Sequence, residues 1–196
     1  VLIGTQMIAK GLNFTNVDLV GIIESDFLLN YPDFRSHEKY YQLIKQVSGR
    51  AGRSRSRGRV VLQTDYIHHY LHNRLIDNNY RDFYNFQLSQ RKEFNYPPFS
   101  KLIKIRFKSK KIDIIDSSSK WFCDAVNNLI NCTVLGPEFP LVSKINNFHI
   151  KDLIIKIEKD QNILVTKKKL NKLIKTFNDY PKFRPVKISV DVDPYN

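Results

Sequence analysis

The chain has 196 residues, a net charge of +13 and two cysteines. That length suffices for one large or two small domains with their own cores. Two cysteines, Cys123 and Cys132, are too few for a four-cysteine zinc site, and no histidine spacing completes one, so they read as reduced thiols and the chain offers no metal site. No signal-peptide pattern and no run of about 18 apolar residues occurs, which speaks against secretion and a membrane span and leads us to expect a cytoplasmic protein.

The basic excess points to an acidic partner, most simply nucleic acid. It is unevenly spread: residues 1–100 hold 13 Lys+Arg against 9 Asp+Glu, whereas residues 101–196 hold 19 against 10. The second half is therefore the stronger candidate for DNA contact. The abundance of Lys, Asn, Ile and Tyr is also what AT-rich coding sequence produces, so charge alone does not establish binding.

Val1–Gly4 reads as a buried strand and Met7–Leu12 has room for a short helix. Val17–Glu24 is an apolar run of strand length ending in an acid, as in a parallel sheet buried on both faces. Tyr40, Leu43, Ile44 and Val47 recur at helical spacing over Ser36–Val47, with Ser36 as N-cap. Arg59–Thr64 is a further strand. Tyr66 to Lys92 contains no Pro or Gly and reads as mostly helical with a break near Asn78-Asn79, its aromatics packing between domains. Tyr96-Pro97-Pro98-Phe99 stops it, because proline lacks a donor and restricts the residue before it. The rest reads as β-α-β-β-α-β. Leu102–Phe107 is a half-buried strand and Ile112–Ile130 a helix with Trp121, Phe122, Ala125 and Leu129 inward. Val134–Leu135 begins a short strand, His149–Glu158 is a clear one, Thr166–Phe177 is a basic amphipathic helix and Val186–Val192 closes the sheet.

Two segments carry chemistry. Gly4-Thr5-Gln6-Met7-Ile8-Ala9-Lys10-Gly11 places a hydroxyl and backbone N–H groups where a strand gives way to a helix, an arrangement that suits a phosphate. Gly11 allows a tight turn beside a nucleotide. About 40 residues later, Gln46-Val47-Ser48-Gly49-Arg50-Ala51-Gly52-Arg53 sets two arginines three residues apart at a helix end. Guanidinium is planar, forked and permanently charged, so it can follow a γ-phosphate through its transition state.

Together, in this order, these segments resemble motifs V and VI of superfamily 2 helicases. With Asp26, Asp33-Phe34-Arg35-x-x-Glu38, Gly58–Thr64, Tyr96–Phe99, Val134–Pro137 and Asp191–Pro194, the chain resembles the primosomal protein N′ family along essentially its whole length. These are the PriA-type replication-restart helicases of bacteria. The resemblance implies an α/β fold with part of a RecA-like helicase lobe 2 at 1–65, a helical connector at 66–98 and a ferredoxin-like C-terminal domain at 99–196. It implies Arg53 as catalytic arginine finger, Gln46, Arg50 and Gly11 at the nucleotide, and Thr5 and Lys10 at the DNA. ATP and Mg²⁺ are its cofactors, bound mainly by an upstream lobe, and the zinc of the family lies outside this chain. Its partners are forked and single-stranded DNA, the acidic tail of single-stranded DNA-binding protein and other primosome proteins. Asn13 stands where related motors place an acid on the ribose, and Phe148-His149-Ile150-Lys151-Asp152 lacks the family's aromatic-Arg-x-Gln pattern.

No Walker A Gly-x-x-x-x-Gly-Lys-[Ser/Thr] and no Asp-Glu-x-His pair is present, so the chain is expected not to hydrolyse ATP by itself. Arg53-Ser54-Arg55-Ser56-Arg57-Gly58-Arg59 reads as a solvated loop or a phosphate clamp. Lys167, Lys168, Lys169, Lys172 and Lys175 form a solvated face or a dock for DNA or an acidic peptide. His68, His69 and His72 read as surface helix residues. The expected function is the C-terminal part of an ATP-dependent 3′-to-5′ DNA helicase that recognises stalled or branched forks and initiates primosome assembly. The alternative is a non-catalytic module for nucleic acid or acidic peptide that retains motor motifs as relics.

Overall fold

The structure, a computed structural model, describes residues 1–5, 17–52, 58–159 and 161–195. Contacts divide the chain into two compact units, Val1–Gln90 and Arg91–Asn196. Both mix helices with sheet, so the α/β class holds.

In the first unit the order is β1 (Leu19–Ile22), α1 (Asp26–Leu29), α2 (Ser36–Ser48), β2 (Arg59–Leu62), α3 (Tyr70–Ile76) and α4 (Tyr80–Glu93), whose last residues pass into the second unit. β1 and β2 run parallel in register from Leu19↔Arg59 to Ile22↔Leu62. The helical spacing in α2 turns Tyr40, Tyr41 and Ile44 inward, against Leu29, Leu71 and Phe83. Tyr41 stacks on Phe83 at a centroid distance of 4.3 Å and an interplanar angle of 8°. Each large side chain buried this way stabilises by roughly 1.5–3 kcal/mol.

Several expectations change here. Residues 1–5 form no strand and Val1, Leu2 and Ile3 are exposed, because no described strand pairs with them. The sheet is not buried on both faces: Leu19 and Val61 are exposed, since two strands offer too little surface to be covered twice. Ser36 is the first helical residue rather than the cap, and Arg35 occupies the cap position. Leu71 and Phe83 pack inside the first unit's own core. The break near Asn78-Asn79 falls between α3 and α4, with Asn78 at φ +54°. The expected helix at Met7–Leu12 lies outside the described residues.

The second unit runs β3 (Ser100–Ser109), α5 (Ile112–Leu129), β4 (Thr133–Glu138), β5 (Lys144–Ile145), β6 (Phe148–Glu158), α6 (Ile163–Asp179), a 3₁₀ turn (Pro181–Phe183) and β7 (Lys187–Val192). Its sheet order is β4-β6-β3-β7, with β5 beside β6 and every neighbour antiparallel. Alternation sends Ile103, Ile105 and Phe107 of β3 and Leu153, Ile155 and Ile157 of β6 to one face, where α5 and α6 cover them with Phe122, Val126, Leu173 and Phe177. On α5 the inward set is Ile115, Phe122, Val126 and the following Ile130; Leu129, expected inside, is 51% exposed although helical spacing places it on that face, because the helix ends there and the extended Ile130 enters the core instead.

The other face carries charge. Arg106 on β3 grips Asp152 on β6 through two hydrogen bonds of 2.7 Å each. At one end Lys156 donates to the Phe94 carbonyl at 2.8 Å and sits 3.5 Å from the Tyr96 ring centroid. Burial lowers the Lys156 pKa from its ordinary value. The segment before β3 is thereby fixed to the sheet, helped by Ser100 donating to the Asn95 carbonyl at 2.7 Å.

Gly136 makes one more requirement visible. It sits at φ +93°, and a Cβ there would come within 2.7 Å of the Asp152 carbonyl and 3.0 Å of the Glu138 nitrogen. Gly136→Ala should destabilise the second unit by about 2 kcal/mol or more. Urea unfolding followed by near-ultraviolet dichroism of Trp121 checks this: the midpoint falls while the slope stays unchanged.

Candidate functional site

The helix α2 ends at the arginine motif, and both of its ends are anchored. Ahead of it, the Asp33 carboxylate, 3% exposed, accepts from the Arg35 N–H at 2.9 Å and from Lys39 Nζ at 2.8 Å. The Arg35 guanidinium lies 4.2 Å from the Phe34 ring centroid. After Ser48 the chain tightens into single turns: Gly49 N–H donates to the Lys45 carbonyl, Arg50 N–H to Val47 and Ala51 N–H to Ser48, at 3.0–3.1 Å. Gly52, at φ +74°, then donates to the Val17 carbonyl at 2.9 Å, and Arg59 N–H donates to the Asp18 carbonyl at 2.8 Å. Both flanks of residues 53–57 thus close on the start of β1. A Cβ on Gly58 would collide with Gly52 N and with Ala51, so only glycine permits that approach.

Gln46 is exposed on the last turn of α2, and Arg50 follows it at the helix end, half-buried. The carboxyl end of a helix is its negative end, which suits a guanidinium there. Thr5 lies exposed in the stretch 1–5 and belongs to no helix or strand. Lys10, Gly11 and Arg53 lie outside the described residues. The structure therefore brings Gln46 and Arg50 together at one helix end and leaves Thr5 apart from any element.

A second cluster was not singled out as functional in the sequence. Past the carboxyl ends of β1 and β2, the Asp26 carboxylate accepts from Thr64 Oγ1 at 2.5 Å and from the Asp65 N–H at 2.6 Å. Ser25 Oγ donates to the Gln63 carbonyl at 2.9 Å. Desolvation raises the Asp26 pKa, but the hydrogen bonds from Thr64, Asp65 and Ser25 outweigh it and hold the carboxyl below its ordinary value. The two strand ends are clasped by one carboxylate. Asp26 stood in the quoted motif, but only the parallel pairing shows what it binds.

Deeper in, Tyr40 Oη and His72 Nε2 are 2.9 Å apart and both buried. Tyr70 Oη pairs with His37 Nδ1 at 2.9 Å and accepts from Gln87 Nε2 at 2.7 Å. His69 Nδ1 accepts from the Leu71 N–H at 3.3 Å and so caps α3. His72 is therefore an interior partner and not a surface residue, His69 is half-buried as the cap of α3, and His68 is exposed. The signal available in sequence was the match between these histidines and tyrosines on the inward stripe of α2. Burial pushes Tyr70 up to about 12 against the opposing effect of the Gln87 bond. These groups satisfy one another's hydrogen bonds and present no nucleophile activated by a base.

Among the described residues, no group of three or more His, Cys, Asp or Glu could hold a metal ion. No described helix is long and apolar enough to cross a membrane.

The primosomal protein N C-terminal domain matches residues 92–195, more than half of the chain. The chain belongs to the PriA family. Replication restart protein PriA of Bacillus subtilis (strain 168) is 33% identical over 199 residues, covering 100% of this chain and 24% of that protein. The PriA protein of Borreliella burgdorferi is 35% identical over 156 residues, covering 79% and 24%, respectively. That of Chlamydia trachomatis is 34% identical over 196 residues, covering 99% and 25%. The chain thus spans about a quarter of the length of the PriA proteins it matches, and corresponds to their C-terminal portion.

The histidine cluster gives a pH dependence. Burial depresses the His37 and His69 pKa values below the ordinary 6.5. A depressed folded-state pKa means that the neutral ring is preferred, so this stabilisation is complete above pH 6.5 and is lost as pH falls below it through the folded-state values. The first unit should therefore unfold at a lower temperature at pH 5.5 than at pH 7.5. His37→Gln should reduce that difference, as read by calorimetry at both pH values.

Proposed function

We propose that this chain is the C-terminal part of an ATP-dependent 3′-to-5′ DNA helicase that recognises stalled or branched replication forks and initiates primosome assembly for replication restart. One observation carries the reading: the likeness to PriA proteins extends over the whole chain, including the Gln46–Arg53 segment at the end of α2, whose backbone returns to β1. In this reading the first unit is part of a RecA-like lobe, consistent with its parallel β1–β2 pair joined through α2. The second is a ferredoxin-like sandwich, consistent with the order β4-β6-β3-β7, which places β6 antiparallel between the parallel strands β3 and β4.

The residues divide the work as follows. Arg53 brings positive charge to the γ-phosphate, while Gln46, Arg50 and Gly11 support the nucleotide. Thr5 and Lys10 touch the DNA backbone. Hydrolysis of the β–γ phosphoanhydride of Mg²⁺-bound ATP by water would supply the free energy, and ATP and Mg²⁺ would be held mainly by parts of the protein beyond this chain, which would also carry the zinc. Gln46 and Arg50 lie together at the carboxyl end of α2, which is compatible with their shared place in that division. The partners are forked and single-stranded DNA, the acidic tail of single-stranded DNA-binding protein and other primosome proteins. The second unit, which carries most of the excess positive charge, is the nucleic-acid-binding part.

In the full-length protein, Arg53→Ala should reduce DNA-stimulated ATPase by about a thousandfold or more while leaving DNA binding unchanged. Steady-state phosphate release and fluorescence anisotropy with a forked oligonucleotide measure the two quantities. ATPase that survives the substitution removes Arg53 from its role. Absence of ATPase in the unmodified full-length protein leaves the non-catalytic binding module in its place.

A further inference from the structure

On the sheet face turned away from α5 and α6, the end opposite Tyr96 gathers cations around one ring. Lys108 of β3 stands directly opposite Lys187 of β7 and, on its other side, opposite Ile150 of β6. Directly opposed residues of an antiparallel ladder share a face, and like charges placed so destabilise it. Phe148, two residues before Ile150, projects to that same face. Its half-buried ring has Lys110 Nζ at 5.6 Å and Lys187 Nζ at 5.7 Å from the centroid. Neighbouring cations on the sheet are neutralised: Lys151 pairs with Asp116 at 2.7 Å and Arg106 with Asp152 at 2.7 Å. Among the described residues no carboxylate forms an ion pair with Lys108, Lys110 or Lys187.

We propose that Phe148, Lys108, Lys110 and Lys187 form a docking platform for single-stranded nucleic acid, with an unpaired base stacked on Phe148 and the flanking phosphates on the three lysines. The inference rests on the reading that the second unit binds nucleic acid, and it names the surface and the strand state. Three lysines brought together without an acid repel one another, and a polyanion relieves that repulsion. An aromatic ring between cations is the arrangement that holds a strand without regard to sequence. A duplex keeps its base faces stacked inside, so only an unpaired base can use the ring. Lys110 and Lys187 lie over the ring, and phosphates that draw them aside uncover a π-face on which a base stacks and an acidic peptide does not, which is why nucleic acid is favoured.

The test uses the 196-residue chain and a fluorescein-labelled oligothymidylate, with anisotropy titrations at several salt concentrations. Phe148→Leu should weaken binding about tenfold. Lys110→Ala and Lys187→Ala should each lower the slope of log K against log salt by about 0.7. Phe148→Trp, which keeps a stacking ring should the leucine variant misfold, should retain affinity and show fluorescence quenching when the oligonucleotide binds. Tight binding that Phe148→Leu leaves unchanged, with the salt slope instead lowered by Lys168→Ala and Lys172→Ala on α6, overturns the platform while the nucleic-acid reading stands. A Phe148→Trp signal that the oligonucleotide does not quench also overturns it. No binding of oligothymidylate by the unmodified chain, or binding of a poly-glutamate peptide only, overturns that reading and the platform with it.

Discussion

The antiparallel register of β3 against β6, continuous from Ser100↔Glu158 to Ser109↔His149, is the constraint on which the second unit depends. A slip of β3 by one residue would exchange its two faces relative to β6. Ile103, Ile105 and Phe107 would leave the core, and Lys104, Arg106 and Lys108 would enter it. Burying even one such charge without a partner is so costly that the register is effectively unique. The same register aligns Arg106 with Asp152, and through β7 it sets Lys108 against Lys187. Core, ion pair and cationic face follow from one pairing.

The first unit is held differently. Its two parallel strands are short and largely exposed, and its apolar core is small. Polar clasps do much of the ordering. Asp26 ties the strand ends together, Asp33 anchors the start of α2, and Gly52 and Arg59 return the chain to β1. Because α2 is fixed at both ends, Gln46 and Arg50 are presented by a helix whose position is determined by hydrogen bonds at a distance from them. Rigid support of this kind would serve the nucleotide site proposed for these residues.

Much of this was legible in the chain. Period-two alternation located β3, the apolar run Leu153-Ile154-Ile155 located β6, helical spacing located α2, α5 and α6, and Tyr96-Pro97-Pro98-Phe99 marked the end of α4. The motif at Gln46–Arg53 was visible because it is contiguous. What escaped were features built from residues far apart in sequence. His72 looked like a surface residue because its partner Tyr40 lies on another helix. Asp26 could not be assigned a partner until β2 placed Thr64 beside it. Val1–Gly4 looked like a strand because apolar composition reports a propensity, whereas a strand also needs a neighbour for its hydrogen bonds.

The sequence by itself determined the class of the longer elements and the spacing of the arginine motif, because those depend on residues within a turn or two of one another, and the excess of positive charge, which is a matter of composition. Which carboxylate clasps the strand ends, which histidines are interior and which lysines converge on Phe148 were decided only by tertiary structure. Those are matters of strand order and register, and burial against distant elements, rather than local propensity, sets them.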